Sequence, residues 1–308
     1  MINNQWHTKI NNEQSSLLQV RGLSKLYKDF QLKNVNFMLE PGMIMGFMGR
    51  NGAGKSTTIQ SIMDLIKPDE GDIQILGMSM ADDEVTIKDQ VGYVSDTPIL
   101  NGSWTVDHTL NFVRHFYTNW DEQMVTNYLH RFGISRTKKI RELSKGMKVK
   151  FALVLAISHQ PKLLLLDEPT SGLDPVVREE VLELLLDFLQ DEECGVLFSS
   201  HITSDVEKIA DIVTFIDDGK IIISEDKESL LDRYRRIVMY GENATVTAEH
   251  PYLFEVKQTK GGYIGYTDNF SEFQKRNSGK WDAERLTLEE LFVLLTGHKE
   301  ESTDAHAD

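Results

Sequence analysis

Three stretches of the chain are apolar almost without interruption: Met43-Ile44-Met45-Gly46-Phe47-Met48, Leu163-Leu164-Leu165-Leu166, and Gly195 to Phe198. A strand with one solvated face alternates apolar and polar side chains, so runs of this kind predict strands buried on both faces, the central strands of a parallel sheet. Between them the spacing turns helical. Ser56 to Leu65 reads as a helix directly after the first run, and Val106, Leu110, Val113, Tyr117 and Trp120 form one apolar stripe with Phe112 and Phe116 nearby. Asp174 before Pro175 is an N-cap with proline at the first helical position, which starts a helix running through Leu189.

After Ile216 the pattern changes. Asp217-Asp218-Gly219-Lys220 is a turn between apolar strands, and Ser224 to Arg236 is polar with a helical face. Short β-like runs follow at Ile237 to Tyr240, Tyr252 to Val256 and Tyr263 to Tyr266, the last two joined through Lys260-Gly261-Gly262. A closing helix, Leu286 to Leu295, carries Leu288, Leu291, Phe292 and Leu295 on one side. The expected organisation is a polar tail over 1–16, an α/β domain over 17–225, a small α+β domain over 226–298 without a catalytic constellation, and an acidic tail over 299–308.

The chemistry sits where the buried strands end. Gly49-Arg50-Asn51-Gly52-Ala53-Gly54-Lys55-Ser56, with Thr57 behind it, fills every position of G-x-x-x-x-G-K-[ST] between a strand and a helix. Glycines let such a loop wrap its backbone N–H groups around phosphate oxygens, and the helix N-terminus adds its positive dipole end. Lys55 is placed to reach the β- and γ-phosphates, and the Ser56 hydroxyl to ligate the magnesium that bridges them. The second run ends in Asp167-Glu168. Asp167 suits magnesium, directly or through water, and Glu168 suits polarising a water against the γ-phosphate.

Further residues narrow the class. Leu143-Ser144-Lys145-Gly146-Met147 precedes the leucine run, Ser171-Gly172-Leu173-Asp174 follows Glu168, and Ser199-Ser200-His201 ends the third run. In this order they resemble the signature, D-loop and switch histidine of the ATP-binding cassette (ABC) ATPases, and Tyr27 falls where that family has an aromatic that stacks on adenine. The resemblance covers about residues 17 to 225. It implies a P-loop cassette, a mixed sheet with an antiparallel β subdomain and a helical subdomain at about 97–160, binding ATP and Mg2+. It also implies head-to-tail pairing with a second cassette, the same or a different chain, so that Ser144 and the amides near Gly146 contact a γ-phosphate held by the partner. His201 would then hydrogen-bond the same phosphate from its own side, and the groove of the helical subdomain would receive a helix of a membrane permease. The apolar stripe at 106–120 reads first as the core of that subdomain, with exposed aromatics such as Trp104 the better candidates for partner contact.

Three positions depart from the family pattern. Val91-Gly92-Tyr93-Val94-Ser95-Asp96 resembles the lead-in to the glutamine loop, but Asp96 stands in the glutamine's place. A carboxylate there can ligate magnesium, yet it adds negative charge beside phosphates and, ionised, donates no hydrogen bond. Lys145 replaces a signature glycine and Met147 the signature glutamine; the lysine is either a cation near the partner's phosphate or a solvent-facing side chain.

Composition sets the frame. The chain has 308 residues, a net charge of −15 and one cysteine, Cys194. A single cysteine excludes an internal disulfide framework and fits a reducing compartment. The first 16 residues lack the basic and apolar regions of a signal peptide, and no run of about 18 apolar residues predicts a membrane span. The acidic balance opposes general nucleic-acid binding. Its one basic concentration, Arg136, Lys138, Lys139, Arg141, Lys145, Lys148 and Lys150, reads as a solvated face rather than a nucleic-acid patch.

The C-terminal extension, with its Leu-Glu-Glu-Leu-Phe helix, resembles those of ATPase subunits from bacterial drug and peptide exporters, bacitracin- or lantibiotic-type. The expectation is an ATP-hydrolysing subunit, cytoplasmic and peripheral on the inner face of the membrane, powering a separate permease. The alternatives are a cassette protein acting on ribosomes or DNA, or a regulator that binds ATP and hydrolyses it weakly.

Overall fold

A computed structural model describes residues 16–240, 251–277 and 280–297. The polar N-terminal and acidic C-terminal tails expected from the sequence lie outside these residues, apart from Ser16. The chain divides into two compact units that meet between Ser224 and Glu225.

The first unit contains two sheets. β1 (Leu18–Leu26), β2 (Gln31–Leu39) and β4 (Glu70–Ile75) form an antiparallel sheet with β1 in the middle. The larger sheet has the order β5-β6-β7-β3-β8-β9, built from β3 (Ile44–Met48), β5 (Val91–Val94), β6 (Leu163–Leu166), β7 (Gly195–Ser200), β8 (Ile212–Asp217) and β9 (Lys220–Asp226). The pairs β5·β6, β6·β7, β7·β3 and β3·β8 are parallel. Every residue of β3, β6 and β7 is buried, which is why those segments carry no alternation.

Helices close the two faces: α1 (Lys55–Ile62), α2 (Met80–Asp89), α3 (Val106–Val113), α4 (Glu122–Arg131), α5 (Lys145–Ile157), α6 (Pro175–Phe188) and α7 (Thr203–Ile209). On one face Leu163, Leu165 and Leu197 join a core with Leu18, Val20 and Phe37 of the antiparallel sheet and Ile59 and Ile62 of α1. The register then decides where the chemistry can go. Val94 pairs with Leu166, Leu166 with Phe198, and Met48 with Ser200, so the carboxyl ends of β5, β6, β7 and β3 lie along one edge. Asp96, Asp167-Glu168, His201 and the glycine loop all leave the sheet at that edge.

The predicted stripe over 106–120 is not one helix. α3 stops at Val113, a 3-10 turn covers Arg114–Phe116, and Tyr117 is extended (φ −119°, ψ 144°). Tyr117 leaves the helical path because its ring stacks on buried His159 at 3.8 Å between centroids, and Thr118 N donates to Asp89 at 2.8 Å. Trp104 is half-buried rather than exposed, edge-on to His108 at 4.5 Å and to Phe112 at 5.1 Å. In this stretch the exposed hydrophobic aromatic rings are those of Phe112 and Phe116.

The second unit has the antiparallel order β11-β12-β10-β13, from β10 (Arg235–Tyr240), β11 (Phe254–Thr259), β12 (Gly262–Thr267) and β13 (Trp281–Arg285). It also contains α8 (Lys227–Arg233), α9 (Phe270–Arg276) and α10 (Leu288–Thr296). Ile237, Met239, Leu253 and Phe273 form its core. The helical expectation over Ser224–Arg236 overshoots at both ends, because Asp226 caps α8 and the ladder of β10 begins at Arg235. The strand expected at Tyr252–Val256 lies later, at Phe254–Thr259, where Lys257 and Gln258 are exposed or half-exposed and broke the apolar pattern.

Candidate functional site

The strand-to-helix loop after β3 is shaped by its glycines. Gly54 holds φ +113°, a conformation that costs a side-chain-bearing residue dearly, and a Cβ there would lie 2.6 Å from Leu32 and 2.9 Å from Phe30. The loop therefore turns tightly into α1. Lys55, only 5% exposed, folds back and donates to Gly49 O at 2.8 Å and Arg50 O at 3.3 Å. Its ammonium also lies 3.0 Å from Glu168 Oε1, so its three hydrogens have three acceptors.

Glu168 sits at φ +52°, a left-handed backbone that non-glycine residues adopt at a cost and that recurs at functional sites. The surroundings hold it there: Ser199 Oγ accepts from Glu168 N at 2.9 Å, and Glu168 O accepts from Ser171 N at 3.1 Å. The other carboxylate oxygen accepts from His201 Nδ1 at 2.7 Å. Lys55, Glu168 and His201, from three separate strand ends, thus form one continuous polar chain.

Asp167 is 1% exposed. Oδ1 accepts from Ser199 Oγ at 2.7 Å, whereas Oδ2 is buried without a partner. Burial pushes its pKa up; Ser199 and Ser56 act against that, and the charges of Asp96 and Glu168 add to it. Burial also lifts the Tyr93 phenol on β5 to about 12, with Asp167 and Asp96 contributing. An orphaned anionic oxygen beside the Ser56 hydroxyl, with Asp96 close by, is a set of hard oxygen donors of the kind Mg2+ takes. Among the described residues no cluster of three or more His, Cys, Asp or Glu would hold a metal unaided. An ion here would complete its shell with phosphate and water, as magnesium commonly does.

Lys55, Ser56, Asp96, Glu168 and His201 line a cleft of about 660 Å³, whose lining does not include Asp167. Asn51, Gly52, Gly54, Lys55, Ser56 and Thr57 supply its floor, Asp96 and Thr97 enter after β5, Glu168 and Ser171 after β6, and His201 after β7. Asp29, Phe30 and Lys145 complete it. Tyr27 is not in the lining; it is 40% exposed, and its ring lies 6.4 Å from that of Phe30, which does face the cleft. Asp29, Phe30 and Thr97 escaped sequence reasoning, whereas Ser171 was quoted there only as the start of the D-loop. The turn in which Tyr27 N donates to Phe30 O is a contact between near neighbours that no motif marks.

Of the run Leu143–Met147, only Lys145 lines the cleft of its own chain. Leu143 is buried, and Ser144 caps α5, its Oγ accepting from Met147 N at 3.2 Å. Gly146 meets α6, where a Cβ would come within 2.8 Å of Val177. Asp174 caps α6, accepting from Val176 N at 3.2 Å and Val177 N at 3.1 Å. The basic concentration is partly spent internally: Arg136 pairs with Asp107 and Glu122, and buried Lys150 with Glu180 at 2.9 Å.

Comparison with known proteins decides the family. The family profile described as ABC transporter matches residues 32–171. The bacitracin transport ATP-binding protein BcrA of Bacillus licheniformis is 31% identical over 300 residues, covering 92% of this chain and 98% of BcrA. The chain belongs to the ABC transporter ATP-binding proteins. Another relative, the ABC transporter ATP-binding protein YtrB of Bacillus subtilis (strain 168), is 29% identical over 290 residues, covering 92% of this chain and 99% of YtrB. A solved ATP-binding subunit of an ABC transporter superposes with a TM-score of 0.65 at 30% identity, covering 70% of this chain and 92% of that one. This ABC protein thus has the P-loop α/β fold expected from its sequence, with the cleft at the carboxyl edge of its parallel sheet. No helix among its described residues is long and apolar enough to cross a membrane.

Proposed function

We propose that the chain is the ATP-hydrolysing subunit of a bacterial ABC exporter that moves peptides or drugs through a separate permease. The observation that carries the catalytic part is the Lys55–Glu168–His201 chain, three side chains from three strand ends meeting in one cleft. Lys55 binds the β- and γ-phosphates as a point charge; the loop amides and the N-terminus of α1 add donors. Glu168, held in place by Ser199, orients and polarises the attacking water. His201, paired to Glu168, sits where it can donate to the γ-phosphate and register its departure. Ser56, Asp167 and Asp96 would hold Mg2+, which neutralises phosphate charge.

Ser144, which caps α5, lies outside the lining of its own cleft, and we take its place to be contact with a nucleotide held by a second cassette, identical or different. ATP would close such a pair and hydrolysis would release it, working the permease. Export of peptide antibiotics is supported by the name of BcrA and by similarity extending through both units. The protein would act at the inner face of the membrane through its permease.

Affinity capture of the tagged chain from gently solubilised native membranes, followed by mass spectrometry, tests this reading. A co-purifying multi-span permease is the expected result, and the number of cassette chains recovered shows the pairing. Ribosomes or DNA-associated proteins with no membrane chain would overturn the exporter and leave the nucleotide site standing.

A further inference from the structure

Lys145 is one of three residues by which the sequence departs from the family pattern, and although its side chain is exposed its ammonium makes a contact within its own chain. Its ammonium donates to Ser171 O of its own chain at 2.9 Å and borders the cleft that Lys55 and Glu168 also line. The space for it is made by Gly172, at φ +64°, where a Cβ would lie 2.6 Å from Lys145 Nζ. Next to it, Gly146 brings the first turn of α5 against Val177 on α6. The start of α5 therefore touches both the loop that leads into α6 and the first turn of α6, through Lys145 at Ser171 and through Gly146 at Val177.

That loop begins on Glu168. Ser171 N donates to Glu168 O and Leu173 N to Thr170 O at 3.3 Å, forming a short turn that supports the left-handed backbone of Glu168. A glycine at 145 would leave the carbonyl of Ser171 to solvent. A cationic donor gives it a charge-assisted hydrogen bond, about twice as strong as a neutral one.

We propose that Lys145 is a positioning residue acting within its own chain: it latches the Ser171–Gly172 turn to α5 and thereby fixes Glu168 at the cleft. The proposal rests on the ATPase reading for its consequence but not for its contact, so the two can fail separately.

Hydrogen exchange on the full chain without nucleotide reads the contact. In Lys145→Met the amides of Ser171 and Leu173 should exchange about fivefold faster, the expected cost of one partly exposed charged hydrogen bond. Lys145→Arg, which keeps a cationic donor, should restore exchange to within about twofold. In steady-state hydrolysis, Lys145→Met should lower kcat about fivefold with KM for ATP unchanged, and Lys145→Arg should recover it. Unchanged exchange with impaired hydrolysis would overturn the latch and assign the cation to the partner's nucleotide. No change in exchange or hydrolysis would make Lys145 a solvent-facing side chain and overturn it equally. A chain that hydrolyses no ATP would sink the ATPase reading, and the exchange experiment would still decide the latch.

Discussion

Lys55 Nζ lies 3.0 Å from Glu168 Oε1 although Lys55 opens α1 and Glu168 follows β6. The pair is largely buried, at 5% and 13% side-chain exposure, and each member has further partners, Gly49 O and Arg50 O for the lysine and His201 for the carboxylate. On the proposed reading a triphosphate would compete with Glu168 for the same ammonium group. Its binding would redirect Lys55 and free Glu168 for water, coupling occupancy of the cleft to the readiness of its carboxylate.

Glu168→Gln should separate these roles. Turnover is expected to fall by about 100-fold or more, the range for loss of a positioned general base. Affinity for ATP should hold or rise, because the amide competes less for Lys55. Phosphate release and equilibrium titration with a fluorescent ATP analogue measure the two effects, and turnover within about threefold of wild type would remove Glu168 from the chemistry.

Asp167 is a buried carboxylate with one oxygen unpaired, an arrangement that costs stability and serves a ligand. Asp167→Asn should therefore raise the melting temperature of the chain without nucleotide by about 2–4 °C, corresponding to about 1 kcal/mol in a domain of this size. The same variant should lose magnesium-dependent hydrolysis. A lower melting temperature would show that the carboxylate is stabilising, contrary to its environment.

His159 gives a pH signature. It is 1% exposed, Nε2 lies 3.3 Å from Val91 O, and burial lowers its pKa below 6.5, opposed by backbone carbonyls and Asp89. The unfolded chain takes up this proton at a higher pH than the folded one. The stabilising contribution is thus complete above about pH 6.5 and is lost as pH falls through the folded value. Denaturant unfolding of wild type and His159→Phe at pH 7.5 and pH 5.5 should show a steeper acid loss in wild type; equal losses would mean that His159 is readily protonated in the fold.

Asp174 combines a helix cap with a carboxylate charge at the start of α6, and two substitutions separate them. Asp174→Ala should destabilise the chain by about 1 kcal/mol through loss of the cap. Asp174→Ser keeps an acceptor for Val176 N and Val177 N and should preserve stability. If hydrolysis falls in both variants the carboxylate matters in itself; if only in Ala, the cap is its whole contribution.

Local patterns carried a large part of this protein. The uninterrupted runs at 44–48, 163–166 and 195–198 could only be doubly buried strands, because each side chain there is apolar whichever way it points. Gly49 to Ser56, Asp167-Glu168 and Asp174-Pro175 were readable because their chemistry depends on residue type and spacing within a few positions. Where a long-range contact overrode the local pattern, the sequence misled: Tyr117 continued a helical stripe but turns away to stack on His159, and Trp104 is half-buried against His108 and Phe112.

The sequence by itself determined which strands are buried, where they end and that the glycine loop and the acidic pair stand at those ends. Only the tertiary structure decided that Lys55, Glu168 and His201 join into one chain, that Phe30 rather than Tyr27 faces the cleft, and that Lys145 turns to its own Ser171. The reason is physical: the first set follows from burial and backbone geometry over a few residues, whereas the second depends on register between strands and on which donor finds which acceptor across the fold.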